Sequence, residues 1–350
     1  LTPADSLRGR ASESGQRLDA VAWAVPPGKG LNTRPARLLV ELGKLGVISE
    51  TAPRYFHGRA AAEGHSVSAG SFDPIRGVPV SAKALAVLSP VFRAGAHPGA
   101  FWYDFYDDWA LAPDINALHR LHAARSYASM RRGANQGVLV TCNSPYMAGR
   151  VGLDGAHVVP NGVDDALADH SPAGDDATRL LLLGKFFDGR TDWDLILRIA
   201  AATDFDEIVV GHPGDSESMG RVLDRLHQKF GERLVIRDWI DSSDLATFAG
   251  PRTVALVPHV VSDYTLSQDL MKVYQLQGHG IRVICPRLLW PTHLSARYAY
   301  LVDFGADYSR LLTEWIDSPT IDEEWRQAFI ADNSWASRAR AVVQRMEALR

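Results

Sequence analysis

Short apolar runs alternate with stretches that carry apolar side chains at helical spacing through most of this chain. That alternation constrains the fold more than any other feature. It requires parallel strands whose connections return through covering helices, which is an α/β architecture. Strands are expected at 18–24, 100–103 and 137–142 in the first half, and at 179–183, 207–210, 234–237, 254–258 and 282–284 in the second. Helices are expected at 34–45, 80–92 and 118–132, then at 192–201, 216–230, 270–277, 321–331 and 335–349. Ser144 is placed to cap a short helix after the strand 137–142. Residues up to 17 read as a polar lead-in, and 51–77 show no clear period. The polar stretch 165–176, with Pro172 and Gly174, has the composition of a linker. It divides the 350 residues into an N-terminal domain, 1–164, and a C-terminal domain, 177–334. Each reads as a doubly wound sheet, in which ligands bind beyond the carboxyl ends of the strands.

Charge and cysteine content narrow the partners. With 37 basic and 41 acidic side chains the formal net charge is −4, so no nucleic acid is expected as partner. Cys142 and Cys285, both in apolar runs, cannot form a disulfide framework, and a reducing, cytoplasmic setting fits them. No apolar run is long enough to span a bilayer, and no signal peptide is expected. Arg120, Arg125, Arg131 and Arg132 give the helix at 118–132 a basic side. It reads first as a solvated face, and otherwise as one resting peripherally on an anionic membrane surface.

Several loops offer chemistry. Gly184-Lys-Phe-Phe-Asp-Gly-Arg-Thr-Asp192 follows a strand, holds the cations Lys185 and Arg190, and leads into a helix N-terminus. Cations and unpaired amides together suit a diphosphate, although the spacing equally describes a turn with two solvated charges. A second helix N-terminus follows the loop 259–269, with Ser267 or Asp269 as cap and Lys272, Tyr274 and Gln275 in its first turns. This reads as a phosphate and ribose site or as an ordinary capped helix. Gly28 and Gly30 in the first strand-to-helix loop allow close approach of a ligand, but no third glycine completes a dinucleotide fingerprint. Tyr103-Asp-Phe-Tyr-Asp-Asp108 ends a strand, where functional side chains collect. The histidines show no metal-ligand spacing, and neither a nucleophile elbow nor a Walker A loop is present. No metal and no cofactor are expected.

Five segments in order resemble one family. Val158-Val-Pro-Asn-Gly-Val-Asp164 is similar to the "IPNGVD" signature of retaining GT-B glycosyltransferases of the family 4 (group 1) type. Upstream, Val138-Leu-Val-Thr-Cys-Asn-Ser144 resembles the "DLVIATS" strand. Gly184-Lys185 with Arg190 resembles the Gly-Arg…Lys phosphate pair with the basic types exchanged. The run from Met271 to Ile284 resembles "LKLYEYLAAGKPVV", and Ser334-Trp335 opens a segment similar to the final "SW…RA" helix. Arg34-Pro35 and the acidic run are similar to teichuronic-acid-type bacterial transferases within that family.

The resemblance implies a GT-B fold, two doubly wound Rossmann-like domains facing across a cleft, with the helix at 335–350 packing back on the first domain. It implies a hexosyltransferase-type enzyme that moves a sugar from a nucleoside-diphosphate donor to an acceptor hydroxyl, with retention and without metal. The donor sugar nucleotide is a co-substrate; the acceptor is a saccharide, a lipid-linked sugar or a small natural product. Lys185 and Arg190 would stabilise the leaving diphosphate, together with the helix N-terminus near Ser267 and Leu270. Gly184 and Lys272 line the same site, Tyr274 and Gln275 hold the ribose and sugar, and Trp239 and Ile240 carry the base. Gly28, Gly30 and Asp107 would face the sugar or acceptor. The family's two glutamates, eight residues apart, are replaced by Ser267 and Gln275. That departure supports a rival reading, a silent GT-B subunit that partners or activates another transferase. A GT-B sugar-nucleotide epimerase would need acid and base residues that the sequence does not supply.

Overall fold

The computed structural model describes residues 21–24, 33–47, 84–87, 100–113, 115–135, 137–184, 186–211, 214, 216–238, 240, 242–303 and 309–348. The chain divides into two compact units, Leu1–Asn161 with Trp335–Arg350, and Gly162–Ser334. The division falls inside the Val158–Asp164 motif.

Among the described residues, unit 1 is built on a parallel sheet, β1 (Val21–Ala24), β2 (Ala84–Val87), β3 (Ala100–Phe105) and β4 (Leu139–Cys142), in that order. Helix α1 (Arg34–Lys44) starts with Pro35, whose missing N–H costs nothing in a first turn, and buries Leu38, Leu39 and Leu42. Helix α2 (Ala117–Ala134) lays Ala123, Tyr127 and Met130 over Phe105, Val140 and Cys142. Ser144 does cap α3 (Pro145–Val151), its Oγ accepting from Met147 N at 3.3 Å, and Gly152 ends that helix in the left-handed region. The C-terminal helix α11 (Trp335–Ala348; α4 to α10 belong to unit 2) lies against α1. Arg338 Nε donates to the Asn161 carbonyl at 2.9 Å and Arg345 Nε to that of Ala156 at 2.7 Å.

Residues 80–92, read as helical from their apolar spacing, contain β2 instead. A short apolar run carries little period of its own, and here pairing with β1 and β3 on both sides decides its state.

Unit 2 holds six parallel strands: β5 (Arg179–Leu183), β6 (Glu207–Gly211), β7 (Leu234–Arg237), β8 (Thr253–Leu256), β9 (Arg282–Pro286) and β10 (Ala299–Val302). Their order is β10-β9-β8-β5-β6-β7. The two faces divide the strand residues by alternation. Leu180, Leu182, Ile208, Val210, Val254 and Leu256 meet α4 (Trp193–Ala202), α5 (Glu217–Phe230) and α9 (Ser309–Ile316). Leu181, Val209, Ala255, Val283 and Cys285 meet α8 (Met271–Gly278) and α10 (Glu323–Asn333). Burial on both faces is why these strands read as unbroken apolar runs. Helices α6 (Ser242–Phe248) and α7 (Asp263–Ser267), with α9 and β10, are not among the elements expected from the sequence. They are short, and their boundaries depend on packing rather than period.

The stretch 165–176 is not a free linker. Asp165–Asp169 forms a 3-10 turn that buries Leu167. The fully buried Arg326 donates to the carbonyls of Leu167 and Gly278, both at 2.9 Å. Ala173 N and Gly174 N donate to the Ala246 and Ala249 carbonyls. The polar composition reflects a tightly bonded surface turn of unit 2.

Candidate functional site

The strand order of unit 2 reverses at β5. From β5 the chain proceeds outward to β6 and β7, then returns to place β8 on the other side. The carboxyl ends of β5 and β8 therefore flank the switch point, where sheets of this type open a crevice for ligands.

Two cations and an imidazole converge there. Lys272, in the first turn of α8, donates from Nζ to the carbonyl of Leu183, the last residue of β5. Gly184 follows with φ +110°, a conformation that favours glycine, and a Cβ on it would overlap the Lys272 ammonium. Arg190 donates from Nε and Nη2 to His259 Nε2, at 3.2 and 3.0 Å. Its guanidinium also stacks over the Phe187 ring, 5.3 Å from the centroid. Backbone bonds hold this loop to the segment after β8, with Val260 N donating to Arg190 O at 2.9 Å and Asp192 N to Pro258 O at 2.8 Å. Thr191 and His259 form an antiparallel bridge.

What holds these cations is consistently uncharged: a carbonyl, an imidazole and an aromatic face. No carboxylate pairs with Arg190 or Lys272 among the described residues. Their charges act on one another. Burial, and then the Arg190 charge, bring the Lys272 pKa down to about 7. Burial, followed by Arg190 and Lys272, holds His259 well below the ordinary histidine range. A guanidinium has no acceptor, so His259 Nε2 must be the bare nitrogen and the proton sits on Nδ1. Among the described residues that Nδ1 is buried without a partner, a penalty of about 1–3 kcal/mol. Unbalanced positive charge of this kind is costly to build, and an anion in the crevice would relieve it.

The remaining residues of unit 2 separate into lining and framework. No side chain caps α8, whose N-cap residue is Leu270, so the expected caps are not formed. Ser267 is fully buried and its Oγ donates to the Tyr264 carbonyl at 2.5 Å. Asp269 accepts twice from the Tyr274 hydroxyl, at 2.8 and 2.9 Å. Tyr274 is itself fully buried and lies 2.7 Å from His293 Nε2, which makes it a framework residue. Helical geometry explains this: positions 273, 274, 276 and 277 face the sheet, while Lys272 and Gln275 are partly exposed. Ile240 is also partly exposed and rests at the end of β6, where a Cβ on Gly211 would lie 2.9 Å from its Cδ1. Lys185, Trp239, Gly28 and Gly30 lie outside the described residues.

In unit 1 the acidic run at the end of β3 divides by burial. Asp104 is bonded in pairs to Arg34, from Nε at 2.9 Å and Nη2 at 2.8 Å, and accepts from Thr141 Oγ1 at 2.6 Å. Asp108 accepts from Arg150 Nε at 2.8 Å and the Tyr127 hydroxyl at 3.0 Å. Burial, with Asp108 beside it, pushes the Tyr127 pKa up. Asp107 differs: it is partly exposed, with φ +56°, which a non-glycine residue adopts rarely. Asn143 Nδ2 donates to its Oδ1 at 3.3 Å, while Asn143 Oδ1 is buried with no partner among the described residues. Of the three aspartates, Asp107 is the one held at the strand end in an unusual conformation. His259, Phe187 and Asn143 were not identified as site residues from the sequence; position in the loop that follows a strand was their one signal.

With this geometry in place, the fold defines the class: GT-B, α/β, with two Rossmann-like units built on parallel sheets. The solved structures it resembles include glycosyltransferases. AviGT4, a glycosyltransferase involved in avilamycin A biosynthesis, is similar over 94% of this chain and 97% of its own, with 17% identity and a TM-score of 0.61. A glycosyltransferase from Rickettsia africae is similar over 94% and 98%, with 14% identity and a TM-score of 0.57. The lipopolysaccharide outer core galactosyltransferase WaaB matches over 77% and 76%, at 11% identity and a TM-score of 0.51. At these identities the likeness is one of fold. No family model and no curated protein matches the sequence.

Proposed function

We propose that this chain is a glycosyltransferase whose unit 2 binds a nucleoside-diphosphate sugar and whose unit 1 holds the acceptor. The observation that carries the reading is the set of cations at the β5–β8 switch point, each held by an uncharged group. A diphosphate supplies the missing negative charge, and the uncapped start of α8 adds backbone amides. Lys185 adds a third cation to this reading. Gln275, whose amide no described residue engages, meets the ribose hydroxyls, and Trp239 with Ile240 supports the base.

In the reaction, the bond between the anomeric carbon and the diphosphate oxygen breaks as the acceptor oxygen forms its bond on the same face of the sugar. The acceptor proton passes to the departing phosphate oxygen. Arg190, Lys272 and Lys185 stabilise the charge that develops there, the role metal ions or oxyanion donors play elsewhere. Retention and metal independence belong to this proposal, as does a hexosyl donor. Asp107, with Asn143 beside it, receives the acceptor hydroxyl. The pairing of Arg190 and Lys272 with uncharged groups favours an active enzyme over a silent subunit, which would have no use for uncompensated charge at the switch point.

Thermal unfolding against UDP-, GDP-, dTDP- and ADP-sugars and their free diphosphates tests the reading. A ligand at 100 times its dissociation constant adds about 2.7 kcal/mol of stability. One nucleotide class is expected to shift the midpoint, and the shift is expected to vanish in Arg190→Ala. A folded protein that responds to none of them would exclude the donor site.

The α2 face extends the proposal to location, as a peripheral contact with an anionic membrane surface at the cytoplasmic side. The helix carries no Asp or Glu, and Leu118 and Leu121 are 62% and 46% exposed on the same face as Arg125 and Arg132. No described helix is long and apolar enough to cross a membrane. Cosedimentation with phosphatidylglycerol vesicles, absent with phosphatidylcholine and lost in Leu121→Ser/Arg125→Ser, is the expected result. Equal recovery with both lipids would remove the contact.

A further inference from the structure

We propose that His259 is a positioning residue for donor binding: it fixes Arg190 through an uncharged acceptor, so that the guanidinium reaches the diphosphate with its charge uncancelled. This rests on the reading of the β5–β8 crevice as a diphosphate site.

An arginine side chain is long and must be held if it is to act as a preorganised cation. The usual partner, a carboxylate, would hold it and cancel most of its field at the same time. Here the two N–H donors of Arg190 converge on His259 Nε2 at 3.2 and 3.0 Å, and its flat face rests on Phe187. Both partners orient the group without adding negative charge. The imidazole cannot swing away, because His259 is 5% exposed and its backbone is bridged to Thr191, one residue from Arg190. Nor can it serve Arg190 as a cation, since a protonated Nε2 would face a group with no lone pair. The charged groups beside His259 are Arg190 and Lys272, both positive, so the imidazole stays neutral while they are charged. In this role His259 acts through Arg190, which it holds by Nε2, rather than on the ligand itself.

The test uses inorganic pyrophosphate as probe, titrated calorimetrically into the full chain and into His259→Gln, His259→Glu and His259→Ala. Gln and Glu are nearly the same size and both offer an oxygen where Nε2 stood. The proposal expects Gln to bind within about 3-fold of the parent, Ala about 10-fold weaker, and Glu at least about 100-fold weaker because it neutralises Arg190. If His259 only fills space, Gln and Glu shift together, which overturns the proposal while leaving the diphosphate site standing. A parent protein that binds no pyrophosphate overturns the site and this role with it. Should the Glu variant fail to fold, a double-mutant cycle decides instead. His259→Ala is expected to weaken binding in the parent and to change nothing in Arg190→Ala; equal effects in both backgrounds overturn the proposal.

Discussion

Replacing Lys272 by methionine is expected to lower glycosyl transfer by at least about 100-fold and, at neutral pH and below, to make the ligand-free protein more stable. The two effects share a cause. Lys272 presses its ammonium against the Leu183 carbonyl with Arg190 nearby, and its pKa falls to about 7. In the unfolded chain a lysine titrates near ~10.4. Between these values the unfolded state holds a proton that the folded state has released, so the parent's stability rises with pH across that window. Below pH ~7 both states are charged and the full penalty is felt, roughly 3 kcal/mol after allowing for the lost bond to Leu183. Methionine removes the titration and keeps the stem. Urea denaturation at pH ~6.5 and ~9.5 should show the variant's advantage largest at the lower pH and shrinking at the higher. Affinity of the parent for pyrophosphate should weaken as pH rises through ~7, as the ammonium loses its proton. Unchanged turnover together with unchanged stability would refute the reading of Lys272 as a functional cation.

Arg34→Met is expected to destabilise unit 1 by about 3–5 kcal/mol, because it strands a buried carboxylate. Arg34 is 3% and Asp104 0% exposed, and Arg34 Nη1 also donates to Asn161 Oδ1 at 3.2 Å. Trp102 Nε1 donates to Thr141 Oγ1 at 2.9 Å, which extends the network into β4. The same Asn161 accepts from Arg338 of α11 through its carbonyl, so one network ties α1, β3, β4 and the C-terminal helix together. The loss should be partly restored by adding Asp104→Asn, which removes the orphaned charge. Chemical denaturation of the single and double variants measures both. A single variant within ~1 kcal/mol of the parent would show that the pair contributes geometry but little stability.

Most of unit 2 was legible because its central strands β5, β6, β8 and β9 are buried on both faces and read as apolar runs, while helices such as α4 and α5 are amphipathic. The motif at Gly184–Asp192 was legible as the loop that follows β5, since glycine, a cation and a following helix are contiguous there. Burial within a motif was not legible. Tyr274 and Gln275 are neighbours, yet one is framework and the other faces outward. Asp104, Asp107 and Asp108 look alike in sequence, yet two are tied up internally and one is held at the strand end. The 80–92 segment was misread because four residues of strand carry no period that can be told from helix.

By itself the sequence determined the α/β class, the parallel strands of unit 2 and the order of its motifs, because local periodicity and turn chemistry are properties of neighbouring residues. Only the tertiary structure decided which charges go uncompensated. Arg190 lies far in the chain from His259 and Lys272, and they meet because the sheet reverses its order at β5 and brings the ends of β5 and β8 side by side. Whether a lysine is solvated or poised to bind an anion depends on burial and on the absence of a nearby carboxylate, and both are set by distances in space rather than along the chain.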